Sequence, residues 1–180
     1  MAIKATVYKA ILQVVDIDRN YYADHTLTMA CHPSETEDRL MVRVLAFALN
    51  AGEHLAFGRG LSEDDEPALW EKDLTGIIET WIELGQPDEK TILRACGRSK
   101  RVLVYAYSAN PDLWWNPIAG KLSRAKNLAV YAVAPESREA LGKLARRSMD
   151  LQCSVQDAEI WMRAGEESVP VTLRTIRSFA

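Results

Sequence analysis

The stretch that decides the fold is IIETWIELGQPDEKTILRACGRSKRVLVYAY, residues 77–107. Its first eight residues are mostly β-branched, aromatic or apolar, which favours a strand over residues 77–84. Pro87 then opens a segment with an acidic first turn and Gly97 closes it, as expected of a helix, and residues 102–107 form a second apolar strand. A strand, a helix and a strand in about thirty residues predict a βαβ unit, whose two strands are parallel and whose crossover is right-handed.

The residues before this unit predict a hairpin, a helix and a short strand. Residues 5–15 and 21–29 are β-rich and flank a turn-like segment, so they predict an N-terminal hairpin. Ser34 and Glu37 have the spacing of a capping box, and apolar residues follow at helical intervals, which predicts a helix over about 34–50. Residues 67–71 predict a short strand that pairs antiparallel with strand 77–84 across a turn at Gly76.

The residues after the βαβ unit predict further alternating helices and strands. The pattern predicts helices over 111–126 and 135–148, a strand over 128–133, and a terminal β section over 150–156, 158–163 and 169–174. A chain of 180 residues without repeats or linkers is the length of one domain. We therefore expect a single domain over residues 1–180, with an α/β fold built on a mixed sheet flanked by helices.

Composition excludes several classes of protein. The net charge of −3 gives no global basic excess, and the three cysteines have no Cys-x-x-Cys spacing that would indicate a disulfide framework or a thiolate zinc site. The first residues lack the long apolar stretch of a signal peptide, and the longest apolar run in the chain has seven residues, which is too short for a membrane span. These features predict a cytoplasmic protein without a membrane partner.

Carboxylates are the most promising chemical groups, because the usual nucleotide, serine-hydrolase and zinc-protease motifs are missing from the sequence. Glu83 stands at the end of a predicted strand, and Asp64, Asp65 and Glu66 precede the neighbouring one. Side chains at one sheet end can hold Mg²⁺, which binds one or two carboxylates plus water. Each acid also has an ordinary interpretation: a solvated loop, a surface charge at a strand end or, for Glu37, half of a capping box.

Several motifs resemble those of the YaeQ family of bacterial proteins. They are residues 32–36 (HPSET), 64–67 (DDEP) and 81–85 (WIELG), the last followed by Pro-Asp-Glu at 87–89. The resemblance covers essentially the whole chain and implies a variant of the PD-(D/E)XK nuclease-like fold, with a nuclease-like core over about residues 34–107. The order of elements predicted above over residues 34–107 matches that core.

The resemblance also implies roles for the acids. In that superfamily an acid on the first helix, an acid at the second core strand and a Glu-x-Lys motif on the third surround one or two divalent metals that cleave phosphodiesters. Glu37 or Glu35 corresponds to the first role, Asp65 or Glu66 to the second and Glu83 to the third. The expected metal ligands are Glu66, Glu83 and Asp65, and the expected cofactor is Mg²⁺ or Mn²⁺.

The sequence departs from the superfamily pattern two positions after Glu83, where Gly85 replaces the lysine. The replacement for that cation stays open between Gln86, Lys90 and Lys72. A missing cation weakens catalysis more than metal binding, since one lost donor to a developing charge costs roughly 3–4 kcal/mol in comparable acyl-transfer sites.

Two functions are expected on this basis. The first is a metal-dependent phosphodiesterase acting on nucleic acid through Glu37, Asp65, Glu66, Glu83 and Gln86 or Lys90. The second is a non-catalytic nucleic-acid-binding or regulatory protein that retains the nuclease-like fold. The expected partners are nucleic acid or the transcription machinery.

Aromatic residues offer a further hypothesis for nucleic-acid contact. Trp114, Trp115, Tyr105 and Tyr107 lie near basic residues in the sequence, and aromatic faces among cations can stack bases and hold phosphates. The alternative is that these rings belong to the packed interior. Strand alternation also puts Trp81 on the same face as Glu83, so we expect that ring to flank the acidic site.

Overall fold

The computed structural model describes residues 4–60 and 65–180, and those residues form two sheets and four α-helices. In chain order the elements are β1 (Thr6–Asp16), β2 (Tyr21–Cys31), α1 (Glu37–Leu49), β3 (Leu55–Phe57), β4 (Leu69–Lys72), β5 (Ile78–Leu84), α2 (Glu89–Arg98), β6 (Ser99–Ala106), α3 (Pro111–Ala119), β7 (Leu128–Val133), α4 (Pro135–Gly142), β8 (Ser148–Gln156), β9 (Glu159–Ala164), β10 (Glu167–Val171) and β11 (Leu173–Arg177). A 3₁₀ turn over Gly120–Leu122 extends α3.

The predicted βαβ unit is confirmed. Strands β5 and β6 pair in parallel, with Ile82 opposite Leu103, and β7 adds a third parallel strand. The predicted antiparallel pairing of β4 with β5 is also confirmed. These strands belong to a six-stranded sheet in the order β11-β7-β6-β5-β4-β3.

The predicted N-terminal hairpin is confirmed, and it forms a second sheet with most of the predicted terminal β section. Strand β8 pairs in parallel with β1, and the five-stranded order is β10-β9-β8-β1-β2. The segment predicted as one strand over 169–174 divides into β10 and β11, which join different sheets. Local patterns identify strands, but the partner that each strand finds depends on distant residues.

Helix α1 lies in the main core, which it shares with residues of both sheets. Its residues from Leu40 to Ala48 are all buried, and a helix that is buried on every side belongs in the middle of a protein. A second apolar cluster covers the other face of the six-stranded sheet, where α2 and α3 pack around Trp81. Helix α1 therefore lies between the sheets, and its first turns lie near the start of β4 and the end of β5.

Several predicted boundaries shift for identifiable reasons. The N-cap of α1 is Thr36, whose side chain accepts a hydrogen bond from the Arg39 amide, so the predicted Ser34–Glu37 capping box is wrong. Ser34 instead bonds the His32 ring at 2.7 Å. Helices α3 and α4 end earlier than predicted, at residues 119 and 142. No helix in the described part of the chain is long and apolar enough to cross a membrane.

Candidate functional site

A cavity of about 410 Å³ opens where β5 ends and α2 begins. Its walls come from α1, from the segment that leads into β4, from the end of β5 and from the first turns of α2. The charged and polar side chains that line it are Arg39, Arg43, Glu66, Glu83, Gln86, Thr91 and Arg94. The cavity thus combines the two carboxylates that the sequence singled out with three arginines that it did not.

Glu83 is half-buried near the end of β5, and its Oε1 accepts a 2.8 Å hydrogen bond from Trp81 Nε1. This contact confirms that Trp81 flanks the acidic residue. Burial raises the pKa of the Glu83 carboxyl, and the Trp81 hydrogen bond and the charges of Arg39 and Arg94 oppose that rise only in part. A ligand that donates a hydrogen bond to Glu83 would therefore stabilise the charged form of this carboxyl.

Gly85 stands at the position where the resemblance implied a lysine. The residue has φ of +87°, a conformation that suits glycine, and it follows the last residue of β5. Its N–H donates to the Tyr105 carbonyl at 2.9 Å, and an added Cβ would lie 3.7 Å from the Tyr107 ring. The chain has already left the regular strand at this position, so a side chain here would not project as a strand residue does.

Glu66 enters the cavity from the segment that leads into β4. Its carboxylate accepts the Arg59 backbone N–H at 2.8 Å and lies 3.2 Å from Arg59 Nε. Gly58 makes this approach possible, since a Cβ there would lie 2.0 Å from the Pro67 carbonyl oxygen. Glu66 is therefore held by the neighbouring segment before any ligand arrives.

The other acids of the DDEP motif are less involved. Asp65 is largely exposed and lies 3.8 Å from Arg94, outside the cavity lining. Asp64 lies outside the described residues. Of the two candidates for the second-strand acid, Glu66 is the one that lines the cavity.

The first helix contributes cations to the cavity in place of the expected acid. Glu35, just before α1, has a side chain that is 2% exposed, and it forms ion pairs with Arg39 and, at 2.8 Å, with Arg43. Arg43 is 3% exposed and also donates to the Ala30 carbonyl at 3.1 Å. Burial lowers the pKa of the Arg43 guanidinium, an effect that Glu35 opposes. Among the described residues, the Nε of Arg43 has no hydrogen-bond partner.

Several predicted site residues lie elsewhere. Glu37 is exposed and lines a separate depression with Glu139 and Lys143. Lys90 is not part of the cavity lining, and Lys72 places its Nζ over the Trp70 ring at 3.7 Å. Of the candidates to replace the lysine, only Gln86 lines the cavity, and its amide donates to Ser108 Oγ at 2.7 Å.

The aromatic hypothesis is wrong for two of the four rings that it named. Tyr105 and Trp115 are buried, and Tyr105 stacks on Tyr131 with a centroid distance of 5.4 Å. Trp114 is half-buried and donates to the Pro87 carbonyl. Tyr105 and Trp115 therefore serve packing and present no free face to a base.

Sequence reasoning missed Arg39, Arg43 and Arg94. Glu35, Arg39 and Arg43 follow one another at intervals of four, a spacing that puts them on one helix face. That pattern normally indicates a solvated face with ion pairs. The apolar residues on both sides of Arg43 could have identified these arginines as buried, because a helix that is apolar on every side has no solvated face.

The donor set fits a divalent cation poorly. No group of three or more His, Cys, Asp or Glu side chains with a metal-binding arrangement occurs in residues 4–60 and 65–180. Glu66 already pairs with Arg59, and three arginines line the same cavity. A hard cation prefers several oxygen ligands and is repelled by neighbouring guanidinium groups, so the cavity is better suited to an anion.

Comparison with known proteins gives a consistent result. The sequence profile of the family described as "YaeQ protein" matches residues 1–173. The chain is 41% identical over 174 residues to the "Uncharacterized protein YaeQ" of Salmonella typhi and to that of Escherichia coli K12, with 96% of each chain covered. It is also similar to the crystal structure of YaeQ from Xanthomonas axonopodis pv. citri, with a TM-score of 0.93, 48% identity and 97% and 99% of the two chains covered. The structure of YaeQ from Pseudomonas syringae gives a TM-score of 0.93 at 36% identity over 97% of both chains.

Proposed function

The chain belongs to the YaeQ family, and from that premise we propose that it is a nucleic-acid-binding protein built on a PD-(D/E)XK nuclease-like core. The order of elements supports this core. Helix α1 is followed by the antiparallel strands β3, β4 and β5, then by α2 and by β6, which pairs in parallel with β5. This is the order that the resemblance implies for the superfamily.

One observation carries the proposal: Arg43, with an unpartnered Nε among the described residues, lines the same cavity as Arg39 and Arg94. A buried donor without a partner is costly, and guanidinium groups match phosphate oxygens in both charge and geometry. A phosphate group of a nucleic-acid strand is the ligand that this arrangement supports.

A second candidate is a phosphodiesterase acting on nucleic acid. The observation in its favour is that Glu66 and Glu83 line the same cavity as the arginines. Cleavage of single- or double-stranded DNA or RNA with Mg²⁺ or Mn²⁺, abolished by Glu83→Ala, would establish it. Partners in the transcription machinery and a location in the cytoplasm are parts of the proposal common to both candidates.

The test of binding is fluorescence anisotropy with labelled single-stranded oligonucleotides, measured over a range of salt concentrations. We expect binding that weakens steeply with salt, because counterions are released when phosphates are contacted. Arg94→Gln should weaken it about ten-fold, since contacts to charged groups contribute roughly 1.5–3 kcal/mol.

The matched control for that variant is Lys90→Gln, which removes the same charge from the same helix but outside the cavity. It should bind like the wild type. Equal losses in the two variants would show non-specific attraction to a charged surface and would contradict the proposal.

A further inference from the structure

The positions of the arginines within the cavity bear on which phosphate group can reach them. Arg43 is 3% exposed, and the side chain of Arg39 is 17% exposed, whereas that of Arg94 is 48% exposed. The innermost positive groups therefore lie deep and the outermost lies at the rim. A ligand must insert its phosphate first to reach Arg43.

An internal phosphodiester is poorly shaped for such an approach. It carries two sugar substituents that must both leave the cavity, and it has one negative charge. A phosphate monoester has a single substituent, three acceptor oxygens and a charge of about −1.5 to −2 at neutral pH. Three arginines line the cavity, and guanidinium groups bind phosphate oxygens through charge-assisted hydrogen bonds.

The other lining groups suit the sugar that is attached to such a phosphate. The cavity volume of about 410 Å³ is within the range of roughly 300–1,000 Å³ that is typical of small-ligand pockets. Glu83 and Glu66 are acceptors on its wall, and the hydroxyl groups of a sugar are donors. A cavity with cations at its floor and acceptors on its wall is complementary to one nucleotide unit entering phosphate first.

We propose that this cavity captures the terminal phosphate monoester of a nucleic-acid strand, so that the protein recognises strand ends and not strand interiors. The proposal rests on the proposed function and narrows it to one class of ligand. Arg43 and Arg39 hold the terminal phosphate, Arg94 closes over it at the rim, and Glu83 accepts from the adjoining sugar.

The first experiment compares methyl phosphate with dimethyl phosphate by isothermal titration calorimetry on the full chain. We expect the monoester to bind at least about ten-fold more tightly, because it offers one more anionic oxygen to the arginines. Equal affinities for the two probes would overturn the proposal.

The second experiment compares oligonucleotides of one sequence with a 5′-phosphate, a 3′-phosphate or only hydroxyl ends. At least one phosphate-ended strand should bind about ten-fold more tightly than the hydroxyl-ended strand, and Arg94→Gln should remove that preference while Lys90→Gln retains it. Arg94 is chosen because its side chain is 48% exposed and pairs with the exposed carboxylate of Asp65. Thermal melting of both variants verifies that they are folded.

The outcomes separate the two proposals. If all three strands bind equally and Arg94→Gln weakens all of them, the protein binds nucleic acid but does not read its ends, and only the inference fails. If none of the strands binds, both proposals fail. A preference for phosphate ends that survives Arg94→Gln would contradict the assignment of this cavity.

Discussion

Arg19 and Arg43 each pair with a buried carboxylate, but they differ in how completely their nitrogens are used. Arg19, in the turn of the hairpin, has three occupied nitrogens: Nε lies 2.7 Å from Asp16, and the two terminal nitrogens donate to the Ala51 and Ala48 carbonyls at 3.1 and 3.4 Å. Arg43, beside the cavity, binds Glu35 and Ala30 through one nitrogen while its Nε has no partner in the described structure. The first arginine ties the hairpin to the end of α1, whereas the second leaves its Nε without a partner among the described residues. Under the proposed function, the first is a structural ion pair and the second also serves a ligand.

The largest loss in the free energy of unfolding should come from replacing Arg43 or Arg19. Arg43→Met leaves Glu35, whose side chain is 2% exposed, with only Arg39, and breaking a buried pair costs about 3–5 kcal/mol. Arg19→Met should cost less, about 1.5–3 kcal/mol, because Asp16 keeps its hydrogen bond from the residue-19 backbone N–H. Urea denaturation of both variants measures the free energies of unfolding.

A double variant identifies the source of that cost. If the loss in Arg43→Met comes from an unpaired buried carboxylate, Glu35→Met/Arg43→Met should lose less than the sum of the two single variants. Equal losses for Arg19→Met and Arg43→Met, with strict additivity in the double variant, would remove the distinction between the two arginines.

The next effect is that of adding a cation at position 85, where the proposed nuclease-like core would have a lysine. Gly85→Lys forces a side chain into a conformation with φ of +87°, which costs about 1–2 kcal/mol. We therefore expect lower stability and no gain in phosphate binding, because Arg43 and its neighbours already supply the positive charge. Thermal melting and methyl phosphate titration of the variant measure both quantities.

Gly97→Lys is the matched control for that variant. It adds the same charge at a helical glycine with nothing within 4 Å of an added Cβ, so it should stabilise α2 by roughly 0.5–1 kcal/mol. A Gly85→Lys protein as stable as the wild type, with improved phosphate binding, would show that the lysine position is functional after all.

A smaller effect should follow from neutralising Glu83. Burial raises the pKa of this carboxyl above its ordinary value of 4.5, so between pH 4.5 and the raised pKa the folded protein binds more protons than the unfolded chain. Stability attributable to Glu83 therefore falls as the pH rises through that window. Glu83→Gln should stabilise the protein at pH 7 by roughly 0.5–2 kcal/mol, the range common for stabilising replacements, and the gain should vanish below pH 4.5.

Urea denaturation at pH 4 and pH 7 tests the sign. Glu79→Gln, on the same strand, is the control, since its carboxylate pairs with Lys100 at the surface. A Glu83→Gln protein less stable than the wild type at pH 7 would mean that the carboxylate is held in place by its neighbours more strongly than burial disfavours it. Glu83 would then be a structural carboxylate, as Asp16 is, and not a group that binds a ligand.

Much of the fold was predictable because its elements carry local signals. The apolar strands 77–84 and 102–107 and the acidic start of α2 suffice for the βαβ unit, since its pairing is fixed by a short connection. The pairing of β1 with β8 was not predictable in the same way, because those strands are separated by more than a hundred residues and their alternation suits either sheet. The turn at Thr172, where β10 gives way to β11, carries no breaker residue of its own.

The site was only partly predictable, and the missed half is the cationic one. Glu83 and Glu66 stand at strand ends, where sequence order alone brings them together. Arg39 and Arg43 lie on a helix whose spacing is equally typical of a solvated face, and only the burial of α1 between two sheets turns that face inward. Glu35 and not Glu37 faces the arginines, because the N-cap is Thr36 and the helix begins at Glu37.

The smallest expected effect is the change in melting temperature on adding divalent cations. A ligand that binds only the folded state must raise the melting temperature, by an amount equivalent to about 2.7 kcal/mol at a hundred-fold excess over Kd. The three arginines that line the cavity favour an anion, so Mn²⁺ or Mg²⁺ should give no shift and EDTA no loss, whereas methyl phosphate should give a shift that Arg94→Gln reduces. A rise with Mn²⁺ that disappears in Glu66→Gln/Glu83→Gln would instead make the carboxylates the ligand-binding half of the cavity. The metal-dependent phosphodiesterase would then become the better account of this site, and the unpartnered nitrogen of Arg43 would need another explanation.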